Sequence, residues 1–187
     1  MQPLNDFFAR RFQDDPSALI GALLVAPIVE EAAKGVGATA GRPQTQSKTD
    51  GLVYGAAAGL GFSATENLVY ALAALLVPGV GPSGSLVVVA VRSFSSTFLH
   101  ASSTAVMGYG LAKSWLSGRP RAVFPFYIVA VAMHATFNLF STLADDAAQQ
   151  NNPAGAAVAF LAAVSLAIVA ISVVRLKLVT RRSSASR

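Results

Sequence analysis

The sequence predicts an all-α fold, a polytopic membrane protein of about five transmembrane helices with a polar site in the core of the bundle. Composition is the first reason: of 187 residues, 53% are hydrophobic and only 12% charged, the balance of an integral membrane protein. The second is patterning. The apolar residues fall into long blocks instead of alternating or recurring on one face, and each block reaches about 20 residues or more, enough to cross a hydrocarbon core. No soluble domain fits beside them.

Taken in order, the chain opens with a segment over 1–16 that reads as interfacial. Pro3 to Gln13 is predicted as a short helix lying on the membrane, or as the remnant of a connection from upstream spans. It is not a cleavable signal peptide, because Asp14 and Asp15 abut the apolar segment where a basic region would stand. The first span covers about Ser17 to Ala38 and contains Glu30, Glu31 and Lys34. Pro27 lies one turn before Glu30, where a proline frees a backbone carbonyl and can kink the helix. The second span, Leu52 to Val77, is entered through Gly51, Gly55 and Gly59. Their four-residue spacing makes a groove of small residues that another helix can approach closely, and Glu66 follows it. The third span, Leu86 to Trp115, carries Ser96, His100 and Thr104 as a polar stripe, and the fourth, Val123 to Leu143, carries His134 and Asn138 four residues apart. The fifth runs from Ala154 to Val179. Residues 17–179 thus read as one catalytic bundle, with 180–187 a disordered basic tail.

Loop charges orient the bundle, since short cytoplasmic loops collect Lys and Arg. Arg42 and Lys48 lie between spans one and two, Lys113, Arg119 and Arg121 between three and four, and Arg175, Lys177, Arg181, Arg182 and Arg187 at the end. The loops Pro78 to Ser85 and Ala144 to Pro153 have no basic residue. The C-terminus is therefore expected in the cytoplasm of a multi-pass cell-membrane protein. Arg10 and Arg11 disagree, falling on the outer side. The net charge of +5 is a set of loop anchors facing anionic lipid, so nucleic acid is not a partner. With no cysteine, disulfides and thiol nucleophiles are excluded.

The three glutamates, Glu30, Glu31 and Glu66, and both histidines, His100 and His134, all fall in the middle third of a span, whereas the aspartates lie outside the apolar blocks or at their edges. A charge at the bilayer centre costs roughly 2.5 to 3.5 kcal/mol on insertion scales. One such residue alone is commonly interhelical glue. Five at matched depth on four helices point to a shared polar site. Lys34 is four residues from Glu30 and three from Glu31, so it can partly neutralise either; with Asn138 it is expected to be supporting. Adjacent helical residues point about 100° apart, so the two glutamates cannot fill the same position. One should face the cavity and the other a neighbouring helix or Lys34, and spacing does not say which.

Paired carboxylates cannot both be comfortably ionised, so one can act as a base near neutral pH. Two histidines and a glutamate are also the ligand set of a hydrolytic zinc site, leaving another glutamate to activate water. Both lead to amide hydrolysis within the membrane. Other intramembrane chemistries fit poorly: HExxH is absent, no aspartate lies in a span, and Gly61-Phe62-Ser63-Ala64 only weakly echoes a serine-protease turn.

Glu30-Glu31-Ala-Ala-Lys34 matches EExxK, Phe62-Ser-Ala-Thr-Glu66-Asn67 matches FxxxEN, and His100 in "FLHASSTAVMGYG" and His134-Ala-Thr-Phe-Asn138 put one histidine on each of the next two spans. Together these resemble the PrsW family of intramembrane proteases, distant relatives of the CAAX prenyl proteases and the bacterial Abi proteins. The resemblance covers Glu30 to Asn138. It implies a bacterial or archaeal membrane endopeptidase that cleaves a single-span, membrane-anchored protein, as the founding member clips an anti-sigma factor. Carried over by position, Glu30, Glu31, Glu66, His100 and His134 form the active site. Members of the family usually have further helices before the paired glutamates, so the chain reads as a short form or one without upstream spans. The CAAX relatives have a histidine where Glu66 stands and favour a metal-free glutamate mechanism.

Two versions of the site follow. In the metal version Glu66, His100 and His134 hold Zn²⁺ and Glu30 or Glu31 is the base. In the metal-free version Glu30 or Glu31 activates water with help from Glu66, while His134 and Asn138 donate to the oxyanion. A different class, a proton-coupled carrier or a non-catalytic membrane binding protein using the same cluster as a relay, is opposed by the lack of an inverted repeat or a pair of broken helices.

Overall fold

A computed structural model of the chain describes residues 15–165 except 77 and 80. The segment 1–14, the fifth span beyond Ser165 and the basic tail lie outside the described residues, and with them Arg10, Arg11 and the C-terminal cations. The described residues are helical, with no strand among them.

Helix α1 (Pro16–Ile20) starts on Asp15, whose side chain accepts the Ala18 amide at 3.0 Å, with Pro16 at the first helical position. It passes through a π turn over Gly21–Val25 directly into α2 (Ala26–Ala38). A 3₁₀ turn over Thr39–Gln44 leads to α3 (Lys48–Leu75), which opens with a reciprocal cap between Ser47 and Asp50. Helix α4 (Gly81–Ser117) returns antiparallel, a 3₁₀ turn over Pro120–Val123 follows, and α5 is Phe124–Gln149. Helix α6 begins at Pro153 and is described to Ser165.

The glycines of α3 determine how it meets α4. A Cβ on Gly51, Gly55 or Gly59 would lie on the backbone of Gly108, Thr104 or His100 respectively. The four-residue ladder on one helix therefore meets a four-residue ladder on the other, and only hydrogen in place of a side chain permits that approach. Farther along the same seam, Ser63 Oγ and Thr97 Oγ1 are 2.8 Å apart and Ser85 Oγ donates to Ala71 O at 2.7 Å. This register brings Glu66 beside His100.

Burial is inverted relative to a protein folded in water. Glu31, Lys34, Ser63, Ser96, His100, Ser102, Ser103, Thr104 and His134 are buried, while Val29, Val36, Leu68, Leu72, Leu76 and Ile128 are exposed. Apolar side chains outside and a polar interior suit lipid as the surrounding medium. A smaller apolar core, Leu99, Phe137 and Ala163, joins α4, α5 and α6.

One expectation is met only in part and another changes. Among the described residues one helical stretch, Pro120–Gln149, is long and apolar enough to cross a membrane by length and composition. The five-span count is not established: glycine, hydroxyl residues and charge dilute α3 and α4, and the final span is described only in part. The expected loop from Ala144 is largely helix, because alanines around Asp145 and Asp146 carry α5 on to Gln149. It stops at Asn151, which takes the left-handed conformation at φ 54. Asn152 then caps α6, accepting the Gly155 amide at 2.9 Å. Arg42, after α2, lies over the Trp115 ring near the end of α4 at 6.0 Å, so the two basic loops share one end of the bundle.

Candidate active site

Helix α2 presents two adjacent carboxylates to different surroundings. Glu31 is fully buried. Its Oε1 accepts from Lys34 Nζ at 2.7 Å, Ser103 Oγ at 3.0 Å and His134 Nδ1 at 3.1 Å, and its Oε2 from Thr104 Oγ1 at 3.2 Å. These donors come from α2, α4 and α5, so Glu31 ties three helices together. Glu30 is about a quarter exposed, with Oε2 3.7 Å from His134 Nε2 and 3.8 Å from Lys34 Nζ. That oxygen is buried and has no hydrogen-bond partner among the described residues.

Lys34 is also fully buried. Its ammonium donates to Glu31 and to His100 Nδ1 at 2.7 Å, and lies 4.7 Å from the centre of the Phe62 ring. Because an ammonium only donates, Nδ1 of His100 accepts and the ring's proton sits on Nε2, 3.0 Å from Glu66 Oε2. His134 is held at its other nitrogen. Its Nδ1 donates to the carboxylate of Glu31, which turns Nε2 toward Glu30. The two imidazole rings meet edge to face with centroids 5.0 Å apart.

The cluster thus unites Glu30, Glu31, Glu66, His100 and His134, with Lys34 inside it. Asn138 points elsewhere: its Nδ2 donates to the carbonyl of Ala22, in the π turn, at 2.8 Å. Ser103 was not singled out from the sequence. The run Ser102-Ser103-Thr104 inside an apolar block was the available signal, since hydroxyls there need partners. An apolar cavity of about 620 Å³ lies between α2 and α3 and opens beside the cluster, lined by Ala33, Gly37, Ala58, Gly61, Phe62 and Glu66 among others.

A family model described as PrsW family intramembrane metalloprotease matches residues 2–175. The chain belongs to the PrsW family. It is accordingly an intramembrane metalloprotease, a hydrolase that acts on membrane proteins within the bilayer, and the carrier reading gives way to that membership. Neither a curated protein nor a solved structure matches the chain significantly.

A PrsW metalloprotease needs a metal, and the donors fit one. Glu30, His100 and His134 each present a ligand atom within 4.8 Å of the other two. Two imidazoles and a carboxylate are a hydrolytic zinc set, and a bound cation would satisfy the Glu30 oxygen that has no hydrogen bond among the described residues. To present Nε2 to a cation, His100 would carry its ring proton on Nδ1, the nitrogen that accepts from Lys34 here, so Lys34 would turn wholly to the glutamates and Glu66 would stay an ionised carboxylate.

Proposed function

We propose that the protein hydrolyses a peptide bond of a single-span, membrane-anchored protein such as an anti-sigma factor, with Glu30, His100 and His134 holding Zn²⁺ and Glu66 as the general base. The observation that carries the reading is the mutual approach of those three donors around a buried carboxylate oxygen that has no hydrogen-bond partner among the described residues. This ligand set differs from the sequence-based one, Glu66 with the two histidines, by exchanging Glu66 for Glu30. The zinc ion, when bound, supplies Lewis acidity that polarises the scissile carbonyl and makes water a stronger nucleophile at neutral pH.

The chain's own residues do the rest. Glu66 takes a proton from the attacking water as its oxygen bonds to the carbonyl carbon, then returns it to the amide nitrogen as the carbon–nitrogen bond breaks. Glu31 keeps His134 in the tautomer that offers Nε2, and Lys34 stays paired with Glu31. The scissile segment enters through the cavity between α2 and α3, whose small side chains leave room for a peptide backbone next to Glu66. We place 17–179 in the membrane as a multi-pass bundle, 1–16 at its surface, and the basic loops and the tail over 180–187 in the cytoplasm.

The test is zinc content and cleavage of a co-reconstituted single-span reporter by Glu30→Gln and Glu66→Gln. Glu30→Gln is expected to lose both zinc and activity. Glu66→Gln is expected to keep zinc and lose cleavage by about 100-fold or more. Zinc lost from Glu66→Gln and retained in Glu30→Gln would restore the sequence-based ligand set.

A further inference from the structure

Asn138 stands one turn after His134, yet its amide is spent on a backbone carbonyl of α1–α2 instead of the cluster. The reason lies in the hydrogen-bond register of that helix. Through the π turn, amides reach back five residues: the Ala26 N–H bonds Gly21 O. The next bond of that series would run from residue 27 to Ala22 O, but residue 27 is proline and has no N–H. Ala26 is already committed to Gly21, so the α-type bond to Ala22 is lost as well. A carbonyl left unpaired inside a membrane protein is costly. Asn138 Nδ2, at 2.8 Å, supplies the donor the backbone cannot. A second tie from α5 lies nearby, Tyr127 Oη donating to Ile28 O at 2.7 Å.

We infer that Asn138 is a positioning residue that completes the Pro27 break, holding the turn before Glu30 and Glu31 against α5, and that it does not act on the reacting carbonyl. The inference leans on the proposed function only where zinc is the readout.

The test is a rescue. Pro27→Ala restores an N–H that gives Ala22 a backbone partner in either register, from residue 27 if the π turn persists or from residue 26 if the helix becomes regular. Wild type, Pro27→Ala, Asn138→Ala and the double variant are compared for melting temperature in detergent and for Zn²⁺ affinity by competition titration. Asn138→Ala alone is expected to lower the melting temperature by about 2–4 °C or more and to weaken zinc binding about tenfold. In the Pro27→Ala background the same change should cost almost nothing on either scale. Equal losses in both backgrounds overturn the inference and return Asn138 to the reaction centre. A wild type that binds no zinc sinks the proposed ligand set instead, and the melting cycle still decides the role of Asn138. Should Pro27→Ala fail to fold, amide hydrogen exchange of Asn138→Ala decides: it should speed about tenfold across Ala22–Glu30 by local opening, and unchanged exchange there overturns the inference.

Discussion

Replacing Glu31 by Gln should damage the protein through Lys34, not through lost hydrogen bonds. The amide can keep its carbonyl oxygen where Oε1 receives Lys34, Ser103 and His134, and turn its NH₂ toward Thr104, whose hydroxyl can rotate to accept. What disappears is the negative charge 2.7 Å from an ammonium with no exposed side-chain surface. Removing one partner of a buried ion pair costs about 3–5 kcal/mol. Glu30 at 3.8 Å remains as a weaker counter-charge, which places Glu31→Gln near the lower bound, about 3 kcal/mol. For a chain of this length each kcal/mol lowers the melting temperature by about 2–4 °C, so a fall of roughly 6–12 °C in detergent is expected. Zinc affinity should drop about 10- to 100-fold, because a neutral amide oxygen raises the basicity of His134 less than the carboxylate does. Adding Lys34→Met removes the stranded charge and should return part of the lost stability. With zinc removed from both proteins, Glu30→Gln should leave melting close to wild type, since Glu30 Oε2 holds no hydrogen bond among the described residues. If Glu31→Gln melts with wild type and binds zinc as tightly, Glu31 is not the member that holds the cluster together.

Gly59→Ala places a methyl group on the carbonyl of His100 and should destabilise by about 1–3 kcal/mol or more; an unchanged melting temperature would show that α3 and α4 can separate freely. Gly61→Leu fills the cavity between α2 and α3, and because a Cβ there meets no described atom within 4 Å, it should block reporter cleavage while melting stays within about 0.5 kcal/mol of wild type. Cysteines introduced at Lys48 and Arg119 should both label from the cytoplasmic side only, as the basic loops require, and a membrane-impermeant reagent reaching either from outside refutes the orientation.

Relations within one helix could be read from the sequence, whereas relations between helices could not. The glycine spacing announced a close contact for α3, and the depth of Glu30, Glu31, Glu66, His100 and His134 announced that they would meet, because buried charge in lipid requires partners. Which glutamate faces which way was undetermined, since Lys34 is within helical reach of both. The difference is made by Ser103 and Thr104 on α4, whose alignment with α2 follows from packing that no local spacing encodes. Asn138 shows the same limit more sharply. A four-residue interval from His134 suggested a shared face and hence a shared task, and Pro27 announced an unpaired carbonyl. Neither feature reveals that the turn ahead of Pro27 is a π turn, which shifts the orphaned position to Ala22, or that α5 brings Asn138 to it. A polar residue in a membrane helix thus has two claims on its hydrogen bonds, the reaction and the backbone. Where a proline has removed an amide nearby, the backbone claim has to be tested first.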